Sequence, residues 1–379
     1  MKFKRILPIL LSSATCPILL ASMNSCSGQK NIADIEIYHG VEYGGIYFKF
    51  PVDEFNKFFT FGDSLNIKFS NGIEYNDVPF YNGYYVRSGQ MSVISYPGYD
   101  ITLTKMNGPD FWDDSFNNAK ATITLNKAGK YIDIQNALNF ISSTNREDYD
   151  SDEQFANFRP MNIGKLKTNM FYRSSSPCND KYNRMSTVNK LCQSNNIEFD
   201  INLSEDQELL DQLVAKEGFN EKAPWFKNIY DNSKYHCSNL GVDFNSDKCK
   251  TGIKNHLKSI MNSDANSFLV HCVEGKDRTG AFCMILESLA GATYEEIIND
   301  YFKTYENMYH VKKEEKPKTF ELVIDIKLKD SFLCPFTGLK IDDDFSKVNY
   351  QEAAIKYLKD KMSFTDDEIQ QLIAKITQK

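Results

Sequence analysis

The sequence is poor in the residues that hold metal ions and in net positive charge. It contains only five histidines in 379 residues, and nowhere do cysteine and histidine stand at the spacing of a metal site. We therefore expect no metal. Acidic residues outnumber basic ones by 51 to 44, which gives a formal net charge of -7 at pH 7. An acidic chain without a basic stripe argues against nucleic-acid binding.

The apolar stretch near the N-terminus is too short and too interrupted for a transmembrane helix. Residues 6–20 follow a basic start and are broken by Pro8 and Pro17, a pattern typical of an export signal. The small residue and Cys26 that follow resemble a bacterial lipoprotein processing site. We predict an export signal over residues 1–26 and a lipid anchor on Cys26 at the outer face of a bacterial cell membrane. An uncleaved anchor and plain secretion are the alternatives.

The nine cysteines do not define a disulfide framework by themselves. An exported protein can form disulfides, and the spacing allows them between Cys178 and Cys192 and between Cys237 and Cys249. Spacing alone does not decide whether they form. Cys283 follows a phenylalanine in an apolar run, so we expect it to be a core thiol.

The first third of the chain has the pattern of a small β domain. The length is sufficient for two domains, and 41% hydrophobic and 13% aromatic residues support packed cores. Leu65, Ile67 and Phe69 alternate with polar residues before an Asn-Gly turn at residues 71–72. Further strands are predicted at residues 84–86, 91–94, 101–103 and 121–125. We expect a barrel or sandwich over residues 27–145.

Tyrosines are frequent in this β region. They could form a ligand platform for a sugar or a peptide, but core and cross-strand packing is the more frequent use of such residues. The tyrosines concerned are Tyr81, Tyr84, Tyr85, Tyr96 and Tyr99.

Residues 268–286 have the pattern of a buried strand, a tight loop and a buried helix. The loop begins with Cys272, and Arg278 follows six residues later. Five intervening residues can wrap the backbone around one tetrahedral anion, with amides pointing inward and the helix N-terminus adding positive potential. That potential should favour the thiolate form of Cys272. Arg278 can hold two phosphate oxygens with its planar guanidinium.

The other loop residues have assignable parts in such a site. Gly275 allows unusual dihedral angles and a close approach of amides to the anion. Thr279 can donate its hydroxyl to the Cys272 sulfur, or it can cap the helix. His271 is expected under the loop, where it can hold backbone carbonyls and orient the thiol. The expected phosphate-binding residues are Val273, Glu274, Gly275, Lys276, Asp277 and Arg278.

Residues 271–280 resemble the signature loop of the cysteine-based protein tyrosine phosphatases, His-Cys-x5-Arg-Thr/Ser. Gly-Lys-Asp-Arg-Thr-Gly is similar to the variant in a bacterial branch that acts on phosphotyrosine and, in some members, on phosphoserine/threonine and phosphoinositides. Residues 172–177 resemble the Arg-Ser entry motif of that branch, which makes Arg173 a supporting residue. Residues 201–204 stand where the family carries an Asp-Leu-Arg-like strand end. Asn202 and Ser204 depart from that pattern.

The likeness covers about residues 165–325 and implies an α/β phosphatase-like catalytic domain, predicted here over residues 146–325. Helices are predicted at 185–192 and 207–214 and a strand at 197–203, while a capping box opens a helix at 293. A C-terminal helical extension, residues 326–379, is expected to pack on this domain. The polar insertion at 204–260, around Trp225 and Phe226, could form a helical lid or an ordinary surface connection.

The leaving group needs a proton donor. The resemblance to the bacterial branch implies that Asp277 is this acid. No Trp-Pro-Asp triplet occurs upstream of Cys272, but an aspartate on a separate mobile loop is the alternative. The candidates there are Asp200, Asp206, Asp231 and Asp243.

The predicted function is the hydrolysis of phosphomonoesters through a phosphocysteine intermediate, without a cofactor. Protein phosphotyrosine is the favoured substrate, and dual specificity is compatible with this prediction. Lys276 adds positive charge that would suit a phosphoinositide, but Glu274 opposes it. The alternatives are a phosphoinositide or inositol-phosphate phosphatase and a non-catalytic surface lipoprotein that binds phosphorylated ligands.

Overall fold

The structure, a computed structural model, describes residues 30–40, 44–96, 98–241 and 243–378. The predicted export signal and lipid-attachment residue Cys26 lie outside these residues. Across the described ranges, no helix combines the length and the apolar character needed to cross a membrane.

The chain divides into two compact units. Of the described residues, the first unit takes those up to Tyr81 and those within Val93–Thr104 and Asp110–Tyr131, and the second takes Asn82–Ser92, Lys105–Pro109 and those from Ile132 onward. The division passes after Tyr131, whereas the sequence placed the end of the β domain at residue 145. The functional domain limits at 145 and 325 stay a prediction.

The first unit is built on a closed seven-stranded barrel, which confirms a small β domain. The strands follow one another around the barrel in the order β1-β2-β6-β5-β4-β3-β7. They are β1 (Asn31–His39), β2 (Ile46–Phe48), β3 (Ser64–Phe69), β4 (Glu74–Tyr81), β5 (Met91–Ile94), β6 (Thr102–Lys105) and β7 (Lys120–Lys127), with helix α1 (Val52–Phe58) and a short 3-10 turn at Asp114–Phe116.

The alternation in β3 produces the buried side of the barrel wall. Leu65, Ile67 and Phe69 are buried, and Lys68 between them is exposed. β3 pairs with β4 in antiparallel register across the Asn-Gly turn, and Gly72 has a φ of 92°. The hairpin predicted from residues 71–72 is therefore confirmed.

The predicted strand at residues 84–86 is wrong. This segment is irregular and belongs to the second unit, where Tyr85 packs against the main hydrophobic core. Asn82, just before it, accepts a 2.7 Å hydrogen bond from Gln135 Nε2 and donates its amide to Gln135 Oε1 at 3.3 Å. The local pattern of apolar residues does not reveal contacts of this kind with distant side chains.

The tyrosines of the β region fall into two groups. Tyr81 is buried in the barrel, in agreement with core packing, whereas Tyr84, Tyr96 and Tyr99 are each about half exposed. A ligand platform stays a prediction.

The second unit is an α/β domain around a five-stranded sheet in the order β11-β10-β12-β9-β8. β9 to β12 are parallel, and β8 runs antiparallel to β9 at the edge. The strands are β8 (Arg159–Pro160), β9 (Phe171–Ser174), β10 (Phe199–Asn202), β11 (Tyr235–Cys237) and β12 (Phe268–His271).

Helices surround this sheet. In chain order they are α2 (Ile132–Leu138), α3 (Asp152–Ala156), α4 (Met185–Ser194), α5 (Gln207–Val214), α6 (Phe219–Lys222), α7 (Pro224–Asp231), α8 (Asp247–Asn262), α9 (Asp277–Leu289), α10 (Tyr294–Tyr309), α11 (Pro317–Leu322), α12 (Cys334–Thr337), α13 (Tyr350–Met362) and α14 (Asp366–Ile376). A π-helical stretch, Val323–Leu333, joins α11 to α12, and short 3-10 turns stand at Arg146–Asp148 and Phe345–Lys347.

Local sequence signals located several of these helices. The predictions for α4 and α5 are confirmed, and the capping box at Thr293 opens α10 with Glu296. A second box, Thr365 with Glu368, opens α14. These signals work because each depends on residues within one helical turn.

β12 lies in the middle of the sheet, and its side chains enter a core on each face. Phe268 and Val270 belong to the larger core, while Leu269 packs with the residues around α4 and α7. Burial on both faces explains why the strand is apolar throughout.

Trp225 and Phe226 contradict the lid interpretation of residues 204–260. Both are buried in the core that contains α4. The Phe226 amide donates to Asn189 Oδ1 of α4 at 2.9 Å, and Trp225 Nε1 donates to Ile197 O, just after this helix, at 2.9 Å. The rest of the segment supplies β11 and α8 to the domain. This region is an integral part of the second unit, because its aromatic residues fill one of the cores of that unit.

The cysteines in the described ranges are thiols. Cys178 and Cys192 are both buried, and no disulfide joins them. No disulfide joins Cys237, which is partly exposed, to the buried Cys249. Neither disulfide that the spacing allows is present. Cys283 is fully buried in α9, as expected for a core thiol.

Candidate active site

The signature loop leaves the C-terminal end of the central strand. β12 ends at His271, the loop covers residues 272–276, and α9 begins at Asp277. His271 is in register with Ser174 of β9 and Asn202 of β10, so three parallel strands end together beside the loop. Open α/β sheets bind their ligands at this edge.

The entry segment after β9 holds two carbonyl groups of the loop. The Ser176 amide donates to Val273 O at 3.1 Å, and Ser175 Oγ donates to Glu274 O at 3.2 Å. Both serines are buried. The entry motif therefore acts on the loop backbone.

Gly275 takes the conformation that the sequence required of it. Its φ is 72°, and an added Cβ would stand 2.2 Å from Ser174 O. Arg173, only 1% exposed, donates from Nη2 to Gly275 O at 3.0 Å. A side chain at position 275 would meet both backbone strain and a clash, so glycine is required here.

His271 holds a further carbonyl. It is fully buried, with Nδ1 3.2 Å from Cys272 O and Nε2 3.2 Å from Asp200 Oδ2. Burial lowers the pKa of His271, but the charge and hydrogen bond of Asp200 outweigh it and leave the pKa raised. Protonated histidine donates from both nitrogens, which suits both contacts. The ring lies where the sequence placed it.

These contacts fix the direction of the loop amides. The carbonyls of residues 272–275 all accept from groups of the protein, and the described chain has no cis peptide. In a trans peptide the N–H points opposite to the carbonyl. The amides of residues 273–276 therefore lie on the other side of the loop, and within the described chain they donate to no group.

Cys272 is the first residue of the loop, and Arg278 and Thr279 stand in the first turn of α9. Cys272 is 4% exposed. Arg278 is partly buried, with Nη1 3.5 Å from Leu203 O and 3.4 Å from Asn239 Oδ1. Thr279 is fully buried, and its hydroxyl has no hydrogen-bond partner in the described part of the chain. The interpretation of Thr279 as a helix cap is wrong, because the N-cap position is Lys276 and no side chain caps this end.

The charges of Lys276 and Glu274 compensate each other. Their charged atoms are 3.1 Å apart, and Lys276 Nζ also donates to Tyr309 OH at 3.1 Å. Burial raises the pKa of Glu274, but the charge and hydrogen bond of Lys276 lower it further, so the carboxylate form is favoured. Lys276 is thus engaged inside the protein.

Asp277 and Asp200 differ sharply in access. Asp277 is the first residue of α9, with a side chain 48% exposed and 3.8 Å from Lys276 Nζ. Asp200 is fully buried and bonded to His271. Burial raises the pKa of Asp200 more than the charge and hydrogen bond of His271 lower it. Asp200 supports the loop and cannot serve as a mobile acid.

Two of the other candidate acids, Asp206 and Asp231, are engaged in structural contacts. Asp206 caps α5 by accepting from the Leu209 amide at 3.0 Å, and Asp231 pairs with Lys227 at 2.6 Å. Asp243 is exposed on the loop between β11 and α8. Asn239 of the same loop contacts Arg278.

Asn202 has a structural role at the end of β10. Its Oδ1 accepts from the amides of Ser204 and Glu205 at 3.0 and 3.1 Å, which closes the turn after the strand. This explains how asparagine and serine are accommodated at a position where the related motif carries charges.

Three residues that sequence reasoning missed lie under the loop. Asn157, at the end of α3, contacts the carbonyls of the loop, and Arg159 and Asp300 stand behind it. Asn157 is more than one hundred positions from the loop, and Asp300 is as far from the two arginines that it pairs with, so no local pattern identifies them. The left-handed Asn157 after a short capped helix is the one visible signal.

A protein-family model described as "Tyrosine phosphatase family" matches residues 154–378, which is more than half of the chain. The chain belongs to the tyrosine phosphatase family. No curated protein matches it. The family match includes the sheet, the signature loop and the helices from α11 to α14, so it continues beyond the predicted boundary at residue 325. As a member of this family, the protein is a phosphatase.

Proposed function

We propose that this tyrosine phosphatase family member hydrolyses protein phosphotyrosine through a phosphocysteine on Cys272. The observation that carries the proposal is the loop itself. Its carbonyls from 272 to 275 are held by the protein, so its amides are left for an anion beside the thiol. The start of α9 adds positive potential at the same place.

In the first step, the Cys272 thiolate attacks phosphorus in line with the leaving oxygen. The S–P bond forms as the P–O bond breaks, and the loop amides and Arg278 stabilise the equatorial oxygens. For this, Arg278 exchanges its long contacts to Leu203 and Asn239 for phosphate oxygens. The Thr279 hydroxyl, which lacks a partner in the described chain, supplies a hydrogen bond to the sulfur.

Asp277 is the proposed general acid. It donates its proton to the leaving phenoxide, and its carboxylate then takes a proton from the water that attacks the phosphocysteine. Phosphate and the thiolate are released together. Its support is its place beside Arg278 and its partial exposure; Asp243, on the loop that contacts Arg278, is the remaining rival.

The ion pair between Lys276 and Glu274 bears on the substrate. Because Glu274 neutralises the charge of Lys276, the loop has little excess positive charge to attract a substrate with several phosphates. This favours a phosphotyrosyl protein over a phosphoinositide or an inositol phosphate. Dual specificity toward phosphoserine and phosphothreonine belongs to the same proposal.

Replacing Cys272 tests the chemistry. Cys272→Ser should lower turnover of a phosphotyrosyl peptide by about 10⁴-fold or more, because the main nucleophile is lost, while phosphate binding persists. Cys283→Ser, which changes a core thiol, is the matched control for cysteine loss. Turnover retained by Cys272→Ser would overturn the sulfur mechanism.

A panel of substrates separates the alternatives. The wild-type protein should prefer the phosphotyrosyl peptide over soluble inositol phosphates at equal concentration. The reverse order would make it an inositol-phosphate phosphatase. If rapid quenching traps no phosphocysteine and no substrate is turned over, the protein is a phospho-ligand-binding protein.

The general acid is tested with leaving groups of different basicity. Asp277→Asn should slow phenyl phosphate by roughly 10²- to 10⁴-fold and p-nitrophenyl phosphate less, since nitrophenolate needs no proton to leave. Asp243→Asn is the comparison variant. If Asp243→Asn shows this selective loss and Asp277→Asn does not, the acid is Asp243.

We further propose that the protein is exported and held at the membrane by lipid on Cys26. The support is the pattern of residues 1–26 in the sequence. Cys26→Ala should move the protein from the membrane fraction to the soluble fraction. An unchanged distribution would contradict the lipid anchor.

A further inference from the structure

Asn157 is a buried residue outside the signature whose side-chain amide faces the signature loop. It ends α3 and is fully buried. Its Nδ2 lies 3.3 Å from Glu274 O and 3.2 Å from Gly275 O. It therefore reaches the two carbonyls at the crest of the loop.

The orientation of this amide is determined by its surroundings. Oδ1 lies 2.7 Å from Arg159 Nη1 and 3.2 Å from Asn307 Nδ2. An arginine can only donate, so the atom facing it must be the oxygen. The NH₂ group then faces the loop.

Asp300 on α10 anchors both supports of the crest. Its Oδ1 accepts from Arg159 Nε at 2.8 Å, and its other oxygen pairs with Arg173, which donates to Gly275 O. Burial raises the pKa of Asp300, but the two guanidinium charges lower it further and keep it ionised. Through Asn157 on one side and Arg173 on the other, Asp300 holds the carbonyls of the crest.

We propose that Asn157 is a positioning residue for oxyanion binding. By fixing the carbonyls of Glu274 and Gly275, it keeps the following amides, those of Gly275 and Lys276, turned toward the phosphate. This deepens the proposed phosphatase function and rests on it. Asn157 touches no reacting atom and acts through the loop backbone.

The backbone of Asn157 allows a clean removal of the side chain. Its φ is 52°, a left-handed conformation that glycine adopts without cost, so Asn157→Gly deletes the amide and leaves the turn. Asn196→Gly is the matched control, since Asn196 has a φ of 51° and is exposed. Both variants are made in the full chain.

Vanadate affinity and turnover of p-nitrophenyl phosphate are the two measurements. Asn157→Gly should weaken vanadate binding and lower kcat/KM, each by roughly 10- to 100-fold, and Asn196→Gly should change neither. Asn157→Asp is the second variant: it is isosteric and still accepts from Arg159 and Asn307, but it has no donor for the carbonyls. It should show at least the same loss, with a lower melting temperature because a buried carboxylate then faces two carbonyl oxygens.

Unchanged vanadate affinity in a folded Asn157→Gly or Asn157→Asp variant would overturn the positioning role. Because affinity is measured without turnover, this outcome is distinct from a failure of the phosphocysteine chemistry. That failure would appear as wild-type protein that binds vanadate but hydrolyses no phosphate ester.

Discussion

The barrel unit and the phosphatase unit bury very different kinds of side chains. In the described part of the barrel unit, Asp63 is the only buried side chain with a formal charge, and backbone amides of Thr60 and Gly129 satisfy it at 2.8 Å. The phosphatase unit buries more side chains of the ionisable types. Its buried aspartates, glutamates and arginines are Arg173, Arg184, Asp200, Glu205, Glu287 and Asp300.

Burying charge is costly, so its concentration in one unit needs a cause. Three of these residues lie behind the signature loop: Asp200 holds His271, and Arg173 with Asp300 holds Gly275. The barrel needs only a packed interior, whereas the phosphatase unit must hold a loop in one conformation. The ionisable residues behind the loop are buried there because the site needs the loop in one conformation.

The largest difference between the units should appear at two glycines with positive φ. Gly275→Ala brings a Cβ to 2.2 Å from Ser174 O, so kcat/KM should fall by about 100-fold or more through misplaced amides. Gly72→Ala, in the barrel hairpin, has open space and should cost only about 1–2 kcal/mol of unfolding free energy. Steady-state kinetics and chemical denaturation measure the two effects. Retained turnover in Gly275→Ala would contradict the view that the phosphatase unit needs its loop in one conformation.

A barrel position should respond through packing alone. Phe80 is fully buried, with ring centroids of Phe55 and Phe61 at 5.2 and 4.8 Å. Phe80→Ala should lower the unfolding free energy by about 3–5 kcal/mol. Tyr96→Ala, at a half-exposed position, is the control and should cost about 0.5 kcal/mol or less. Equal losses would show that the barrel interior is not the source of its stability.

A smaller, pH-dependent effect is expected at Glu287 of α9. Burial, and then repulsion by Asp300, raise the pKa of this carboxyl well above 4.5. The folded state therefore binds the proton more tightly, so this contribution to stability is fully present at low pH and is lost as the pH rises above 4.5.

Glu287→Gln keeps the shape and removes the titration. Relative to the variant, the wild type should lose unfolding free energy as the pH rises from about 5, by no more than about 1.4 kcal/mol per pH unit for one proton. Denaturation at pH 5 and pH 8 gives the difference. A constant difference at both pH values would contradict a buried, protonated Glu287.

The sequence predicted the parts of the fold that local patterns determine. The Asn-Gly hairpin, α5 and the capping box at Thr293 each depend on a few neighbouring residues. The loop from Cys272 was visible for the same reason, because its residues are contiguous.

The errors and omissions have a common physical origin in contacts between distant residues. Residues 84–86 form a short aromatic and apolar run typical of a strand, but they are held by contacts of the second unit. Trp225 packs on a helix that precedes it by more than thirty positions. Asn157 reaches the loop from more than one hundred positions away, and Asp300 supports the loop through two arginines that are equally distant from it. Nothing in their immediate sequence encodes the partner.

A crystal structure of the protein with vanadate tests the central claim most directly. Vanadium should be bonded to Cys272 Sγ, with the amides of residues 273–276 and the Arg278 guanidinium on its oxygens and with Asn157 still on the carbonyls of Glu274 and Gly275. Vanadate bound elsewhere, or a loop whose amides point away from it, would contradict the account.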